Sequence, residues 1–296
     1  MKNILLLFLI VSCSASQNQK TISETMLSIQ TINVLREPLT ESSGLTTING
    51  GLYTHNDSGN NPTVYKMDTL GHILHAIPMP HLQNSDWEAI THDKEHVFVG
   101  DFGNNLGNRK DLVIYKLRMT AGNRAMSSYE KLELRYAAQT NFTPRYQQHG
   151  YDLEAMVAIR DSIYLFSKDW QMEQTRIYAL DKKPGLYNLT ARDSLAVGCL
   201  ITDATFNGKN RVVLTGYDRG LQPHIIILKL ENNKFTLKER IALPVGSSQI
   251  EAIAYYDTRD GIETYYLSSE AIHIKLGEEE AKSDGAFYVL KLRTGS

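Results

Sequence analysis

Four acidic residues recur in one local setting, each directly before a small residue in a short, mostly apolar run: Glu88-Ala89-Ile90, Glu154-Ala155-Met156, Asp203-Ala204-Thr205 and Glu251-Ala252-Ile253. A second acidic set follows apolar runs further along, at Asp57, Asp101, Asp169, Asp218 and Glu270. Carboxylates brought together repel, raise one another's pKa, and are tolerated only with protons, basic partners or a cation. The chemistry they suit is binding of a hard cation through oxygen ligands, Ca2+ above all, helped by Asn and backbone carbonyls. Glu88 and Glu154 are the candidate acid/base pair, and Asp57, Asp101, Asp203 and Glu251 the candidate metal ligands. Lys168, Arg109, Arg176 and Arg219 lie near the same run ends and offer neutralisation without any metal. The alternative is structural, with the Glu and Asp side chains accepting backbone amides from neighbouring elements as staples.

Aromatic residues accompany the acids. Trp87 and Trp170 adjoin Glu88 and Asp169, and the stretch 140–151 carries Phe142, Tyr146, His149 and Tyr151. Trp87, Trp170, Tyr146 and His149 are the candidate ligand-binding residues, able to stack on a sugar or clasp a peptide. For Trp87 a wedge between packed sheets is the other reading.

The elements that must position these residues form a repeat. Each acidic run before a small residue, with Ser43-Gly44-Leu45 as a fifth member, reads as a first strand, and the run ending in the second acidic set as the next. Third strands are the most alike: Val64-Tyr65-Lys66-Met67, Ile114-Tyr115-Lys116-Leu117, Ile177-Tyr178-Ala179-Leu180, Ile227-Leu228-Lys229-Leu230 and Val289-Leu290-Lys291-Leu292. Fourth strands are weaker, around His72 to Pro78, Lys131 to Ala137, Leu189 to Val197 and Phe235 to Leu243. Four short strands repeating at roughly 45 to 65 residues, with no long amphipathic helix between them, predict an all-β fold, a β-propeller of four-stranded blades over residues 26–296. The last repeat stops at its third strand, and the β-prone Met26 to Leu35 supplies the missing fourth and closes the ring. This gives five blades; the wide gap between Glu88 and Glu154 makes six the alternative. With first strands innermost, both acidic sets fall at one mouth of the central channel, and Ser43 replaces the carboxylate in the first blade. Ala271 to Gly285, with Glu278-Glu279-Glu280, reads as a solvated acidic loop on the same face.

Residues 1–12 carry one positive charge and an apolar run from Ile4 to Val11, the plan of a secretory signal and too short to span a bilayer. Ile10-Val11-Ser12-Cys13 has the form of a bacterial lipobox, so Cys13 is the expected lipidation site and residues 13–25 a flexible tether. The expected location is the cell envelope, on the outer membrane, with the membrane as a partner through Cys13. The other cysteine, Cys199, lies in an apolar setting and reads as a buried small residue. With 31 basic and 33 acidic residues and no basic block, nucleic acid is not an expected partner. A monomer is expected. Asp101-Phe102-Gly103 spells a kinase triplet but lacks the accompanying kinase loops. The Gly-Asn-Asn turns after Asp57-Ser58 and Asp101-Phe102 suit left-handed dihedrals.

Ser42-Ser43-Gly44-Leu45, Asn56-Asp57-Ser58-Gly59-Asn60, Asp86-Trp87-Glu88-Ala89-Ile90, Gly100-Asp101-Phe102-Gly103-Asn104-Asn105 with Arg109 and Ile114-Tyr115, and Asp152-Leu153-Glu154-Ala155-Met156 resemble a little-characterised family of exported bacterial β-propeller proteins. That family is similar in turn to phytase-like and esterase-like propellers and to calcium-dependent lactonase propellers. The resemblance spans about Ser42 to Glu270 and implies an envelope propeller with a possible metal site. The lactonases' Glu, Asn and Asp metal set has no residue-by-residue counterpart here. Two functions fit these readings. One is a binding or scaffold module that offers its acidic, aromatic-rimmed face to a protein or glycan. The other is a calcium-dependent hydrolase of a phosphoester, lactone or glycoside.

Overall fold

Runs of β-branched and aromatic residues broken by Gly, Asn and Asp turns give strands and no helix in the computed structural model, which describes residues 26–120, 126–246, 248–276 and 279–293. The signal, Cys13 and the tether lie outside the described residues. The strands form five blades. Blade one is Ser42–Ile48, Gly51–Asn56, Thr63–Met67 and Ile73–Pro78; blade two is Trp87–His92, His96–Asp101, Val113–Met119 and Met126–Tyr136. Blade three is Asp152–Ile159, Ser162–Lys168, Thr175–Asp181 and Asp193–Leu195; blade four is Leu200–Phe206, Arg211–Tyr217, Pro223–Glu231 and Lys234–Ala242. Blade five takes Ile250–Arg259, Ile262–Ser269 and Gly285–Arg293 from the end of the chain and Met26–Leu35 from its start. That N-terminal strand lies antiparallel to the last one, Met26 opposite Arg293 and Leu35 opposite Gly285, so the ring is closed as expected and six blades are excluded.

Five apolar clusters fill the five gaps between blades. Ala155 and Phe166 of blade three, for example, pack on Val212, Leu214 and Ile226 of blade four, and Leu35 and Phe287 of blade five pack on Leu45 and Leu52 of blade one. Because each blade is covered on both faces, second strands are continuous apolar runs, such as Ile163 to Phe166 and Val212 to Leu214, rather than alternating ones. Each such Leu, Ile or Phe contributes roughly 1.5 to 3 kcal/mol. Near the axis the strands crowd, and small residues are required. Gly44 has φ of 91°, and a Cβ there would stand 2.8 Å from His55 Nε2 and 3.2 Å from the Ala89 backbone.

Two expectations need correction. The fourth strand expected over Leu189 to Val197 is only three residues long, Asp193–Leu195, and a separate strand, Gly185–Leu189, precedes it. Asp193–Leu195 completes blade three, while Gly185–Leu189 crosses over and pairs parallel to the outer strand of blade two, Gly185 opposite Leu132 and Leu189 opposite Tyr136. An outer strand as long as Met126–Tyr136 would otherwise present a row of unpaired amides, and Leu189 gains burial against Leu132, Leu134 and Tyr136. The acidic stretch from Ala271 to Gly285 is a hairpin, Ile272–Leu276 with Glu279–Ser283, not an irregular loop.

Candidate functional site

Strand register decides which acids meet. Every first strand carries a bulge where it begins to pair with its second strand. In blades two, three and five the extra residue is Glu88, Glu154 and Glu251, each flanked by regular pairs such as Leu153 with Ser167 and Ala155 with Phe166. A bulge leaves its extra residue unpaired and re-aims the side chain, so these three glutamates turn toward one mouth of the channel. In blade four the extra residue is Thr202, and Asp203 stands one place on, in the register of the alanines. Asp203 is therefore not a fourth member of the ring. Fully buried, it accepts the amides of Ile253 at 2.9 Å, Leu45 at 3.3 Å and Ala204 at 2.7 Å, tying blade four to blades five and one. The staple reading describes this residue.

The second strands obey the same rule. The residue just past the pair that flanks each bulge is Asp57, Phe102, Lys168, Tyr217 or Glu270 in blades one to five. Asp101, Asp169 and Asp218 fall one position to either side, and alternation along a strand aims them elsewhere. Asp101 accepts the amides of Ser85 and Asp86 and pairs with Arg109 at 2.8 Å. Asp169 pairs with Arg176 at 3.0 Å, and Asp218 caps its own turn through the amides of Gly220 and Gln222. Of the four expected metal ligands, only Asp57 and Glu251 stand at the mouth.

There Asp57 meets two residues from blade two. Ligand oxygens of Asp57, Asp86 and Glu88 all lie within 4.8 Å of one another. Gly103 is small because of this cluster, since a Cβ would stand 2.2 Å from Glu88 Oε1 and 2.5 Å from Asp86 Oδ2. Glu154, whose charge raises Glu88 further, has its Oε2 held by Lys168 Nζ at 3.3 Å, while its Oε1 is buried with no partner. Burial, and then the charges of Asp57 and Asp152, push the Asp86 carboxyl up to about 7. Burial also raises Asp57, and it raises Glu88, Glu154 and Glu270 well above the usual carboxylate range, Glu154 against the opposing charge of Lys168. Glu251 is pushed up to about 7, mainly by burial. Lys168 is held well above its ordinary value by Glu154 despite its own burial.

A carboxyl raised in the folded state binds its proton more tightly there than in the unfolded chain. Its stabilising effect is complete below its unfolded value of 4.5 and is lost as pH rises through about 7. The protein in chelator should therefore lose stability between pH 5 and 7.5, by about 3 kcal/mol from a shift the size of that at Glu251. Thermal melts across that range check it; a flat profile would mean the acids are already neutralised.

The expected aromatic rim is thinner than the sequence implied. Trp87 is fully buried, donates its Nε1–H to Gln83 O at 2.8 Å, and packs edge-on against His55 between blades one and two, the wedge rather than the rim. His149 is 2% exposed and both nitrogens are engaged. Its Nδ1 accepts the Tyr151 amide, so the proton sits on Nε2 and donates to Asn105 O at 3.1 Å. Tyr146 is 62% exposed. Trp170 does stand at the mouth, its ring 4.8 Å from Lys168 Nζ and its Nε1–H donated to Asp152 at 2.8 Å. The Tyr217 ring lies 5.4 Å from the same ammonium.

The sequence reading did not place Asp86, Tyr217 or His55 in the site. Asp86 lies just before the strand Trp87–His92, and Glu88 is the bulge residue of that strand, so simple alternation does not signal that the two converge. His55 was not legible: buried, with Nε2 unpartnered and its pKa lowered to about 4 by burial, it packs beside Trp87 two residues before Asp57. The Asn of the Gly-Asn-Asn turn is a tie rather than a left-handed residue. Asn104 donates its amide to Asp152 at 2.6 Å and its side chain to Tyr151 O at 2.8 Å, joining blade two to blade three.

No protein-family model and no curated protein matches the sequence. Solved structures do. The PQQ-bound form of an aldose sugar dehydrogenase from Streptomyces coelicolor matches with a TM-score of 0.51 and 12% identity over 90% of this chain and 98% of that chain. A glucose dehydrogenase matches with a TM-score of 0.51 and 10% identity over 88% and 98%. Both enzymes share the β-propeller fold with this chain, and at such identity the likeness extends to the fold alone.

Proposed function

We propose that this protein is a lipid-anchored envelope propeller whose channel mouth holds a divalent cation, Ca2+, and through it engages a small ligand. The observation that carries this reading is the cluster of Asp57, Asp86 and Glu88 within 4.8 Å, to which the charge of Glu154, with its unpartnered, buried Oε1, is added from the next blade. Several acids raised by burial and by one another's charge are what a hard cation relieves, and oxygen donors alone suit Ca2+. Asp57, Asp86, Glu88 and Glu154 would hold it. The ligand is small because Glu88, Glu154 and Glu251 are only 5%, 2% and 7% exposed, beyond the reach of a folded partner's surface. Melting in Ca2+ and in chelator tests the site.

A second reading, hydrolysis, is favoured by one feature. Glu154 combines a raised pKa with an oxygen fixed by Lys168, so its other oxygen is poised to take up or give a proton at a bound ester, lactone or phosphoester. The cation would supply polarisation of the bond under attack. A tricarboxylate quinone such as PQQ does not fit this mouth, where Asp57, Asp86, Glu88, Glu154, Glu251 and Glu270 face Lys168 as their one buried ammonium among the described residues.

Anchoring is tested separately. Cys13→Ser should move the mature protein from the membrane fraction to the soluble fraction, since one or more acyl chains supply the membrane affinity. Retention of the variant in the membrane would overturn lipidation at Cys13.

A further inference from the structure

The far end of the channel is chemically unlike the acidic mouth. Two cavities adjoin there, about 380 Å3 and 1120 Å3, sharing Asn49, His92, Ala158 and Gly208. The inner one has no carboxylate in its lining. It is lined by Thr46, Thr91 and Thr205 and by the half-buried Phe206, Tyr255 and Tyr256, which also pack against the clusters between blades. Thr91 Oγ1 accepts the Ala158 amide at 3.2 Å and Thr205 Oγ1 the Tyr255 amide at 2.8 Å, so each keeps its own O–H to donate. His92, also in the lining, bonds Thr46 through Nδ1 at 3.0 Å, which leaves Nε2 for another partner. Thr47 Oγ1, also in the lining, is buried without a partner.

The outer cavity adds charge. Lys94, Arg118, Arg160 and Lys182 line it with Asp93, Glu95 and Asp161. Asp93 is consumed by Lys182 at 3.1 Å and by the amides of Glu95 and His96. Lys94, Arg118 and Arg160 are exposed and have no ion pair among the described residues; against Glu95 and Asp161 they leave the wall with an excess of one positive charge.

Hydroxyl donors beside aromatic faces are the lining that a sugar ring uses, its hydroxyls bonding and its C–H face stacking. A space larger than the roughly 300 to 1,000 Å3 of an ordinary small-ligand pocket suits several rings rather than one. We propose that the lower mouth is a second ligand site, for an acidic oligosaccharide whose hydroxyls seat among the threonines and whose carboxylates meet Arg118 and Arg160. It needs no cation and stands independently of the upper site.

The test is calorimetric titration of the soluble body, from Gln17 onward, in excess chelator. The probes are trisaccharides of galacturonic, mannuronic and glucuronic acid and their carboxyl-reduced forms. At least one tri-uronate should bind, with its reduced form about tenfold weaker. Arg118→Ala combined with Arg160→Ala, both on exposed side chains, should bring the uronate down to the level of the reduced form. Phe206→Ala should weaken both, and Glu154→Gln neither. No binding of any tri-uronate at millimolar concentration overturns the proposal, as does binding that ignores the arginine pair or is lost in Glu154→Gln.

Discussion

Millimolar Ca2+ should raise the melting temperature of the soluble body, and chelator should return it to its starting point. A ligand that binds only the folded state stabilises by about 4 kcal/mol at a thousand times its Kd and about 2.7 kcal/mol at a hundred times. At about 2 °C per kcal/mol for a domain of this size, the saturating shift is about 8 °C. Glu154→Gln keeps the Lys168 side of the residue nearly isosteric and removes the charge from its free oxygen, so a tenfold loss of affinity should cut the shift to about 5 °C. Glu88→Gln and Asp86→Asn should do at least as much, because their oxygens form the cluster itself. The discriminating control is Asp101→Asn. It loosens Arg109 and the amides of Ser85 and Asp86, and so lowers the baseline melting temperature, yet the Ca2+ shift should persist. No shift at millimolar Ca2+, or a shift abolished by Asp101→Asn and indifferent to Glu88→Gln, would sink the cation site.

The contrast between Asp101 and Asp86 also marks where sequence reasoning stopped. Blade number, strand order and the closing role of Met26–Leu35 were legible, because a repeated apolar pattern with turn residues reports directly on burial from two sides. Acids at one mouth were legible too, since strand direction fixes which ends lie together. Which of them converge was not, because that depends on a one-residue bulge in each first strand. The sequence aligns Asp203-Ala204 with Glu154-Ala155, but the structure puts the bulge at Thr202 in one blade and at Glu154 in the other. A slip of one residue moves a side chain to the other side of its strand. The same slip separates Asp57 and Glu270, which reach the mouth beside Lys168, from Asp101, Asp169 and Asp218, which do not. Trp87 shows a second limit: beside a glutamate it reads equally as a rim or a wedge, and only the packing of His55 and Tyr115 against it decides.

Asp203→Ala should be among the most destabilising single changes in the protein, and it should leave the Ca2+ response intact. The carboxylate is fully buried and satisfies three amides, those of Leu45, Ile253 and Ala204, from three different blades. Truncation strands all three donors where water cannot replace the acceptor, and each unsatisfied group costs about 1 to 3 kcal/mol. Allowing for local relaxation, the total is on the order of 4 kcal/mol, a fall of about 8 °C in Tm. Glu251→Ala, at the corresponding place in the sequence repeat, should behave in the opposite way. Burial raises both carboxyls, but Asp203 is held by three amides whereas Glu251 adds to the charge acting on Asp57 and Glu270, so removing Glu251 relieves repulsion, and stability in chelator should hold or rise at pH 7.5. Equal losses in the two variants would mean that both acids are staples and that the mouth carries no surplus charge. A loss confined to Asp203 means that the fold already has its interblade ties, and that the remaining carboxylates crowd the mouth at a cost that a bound cation offsets.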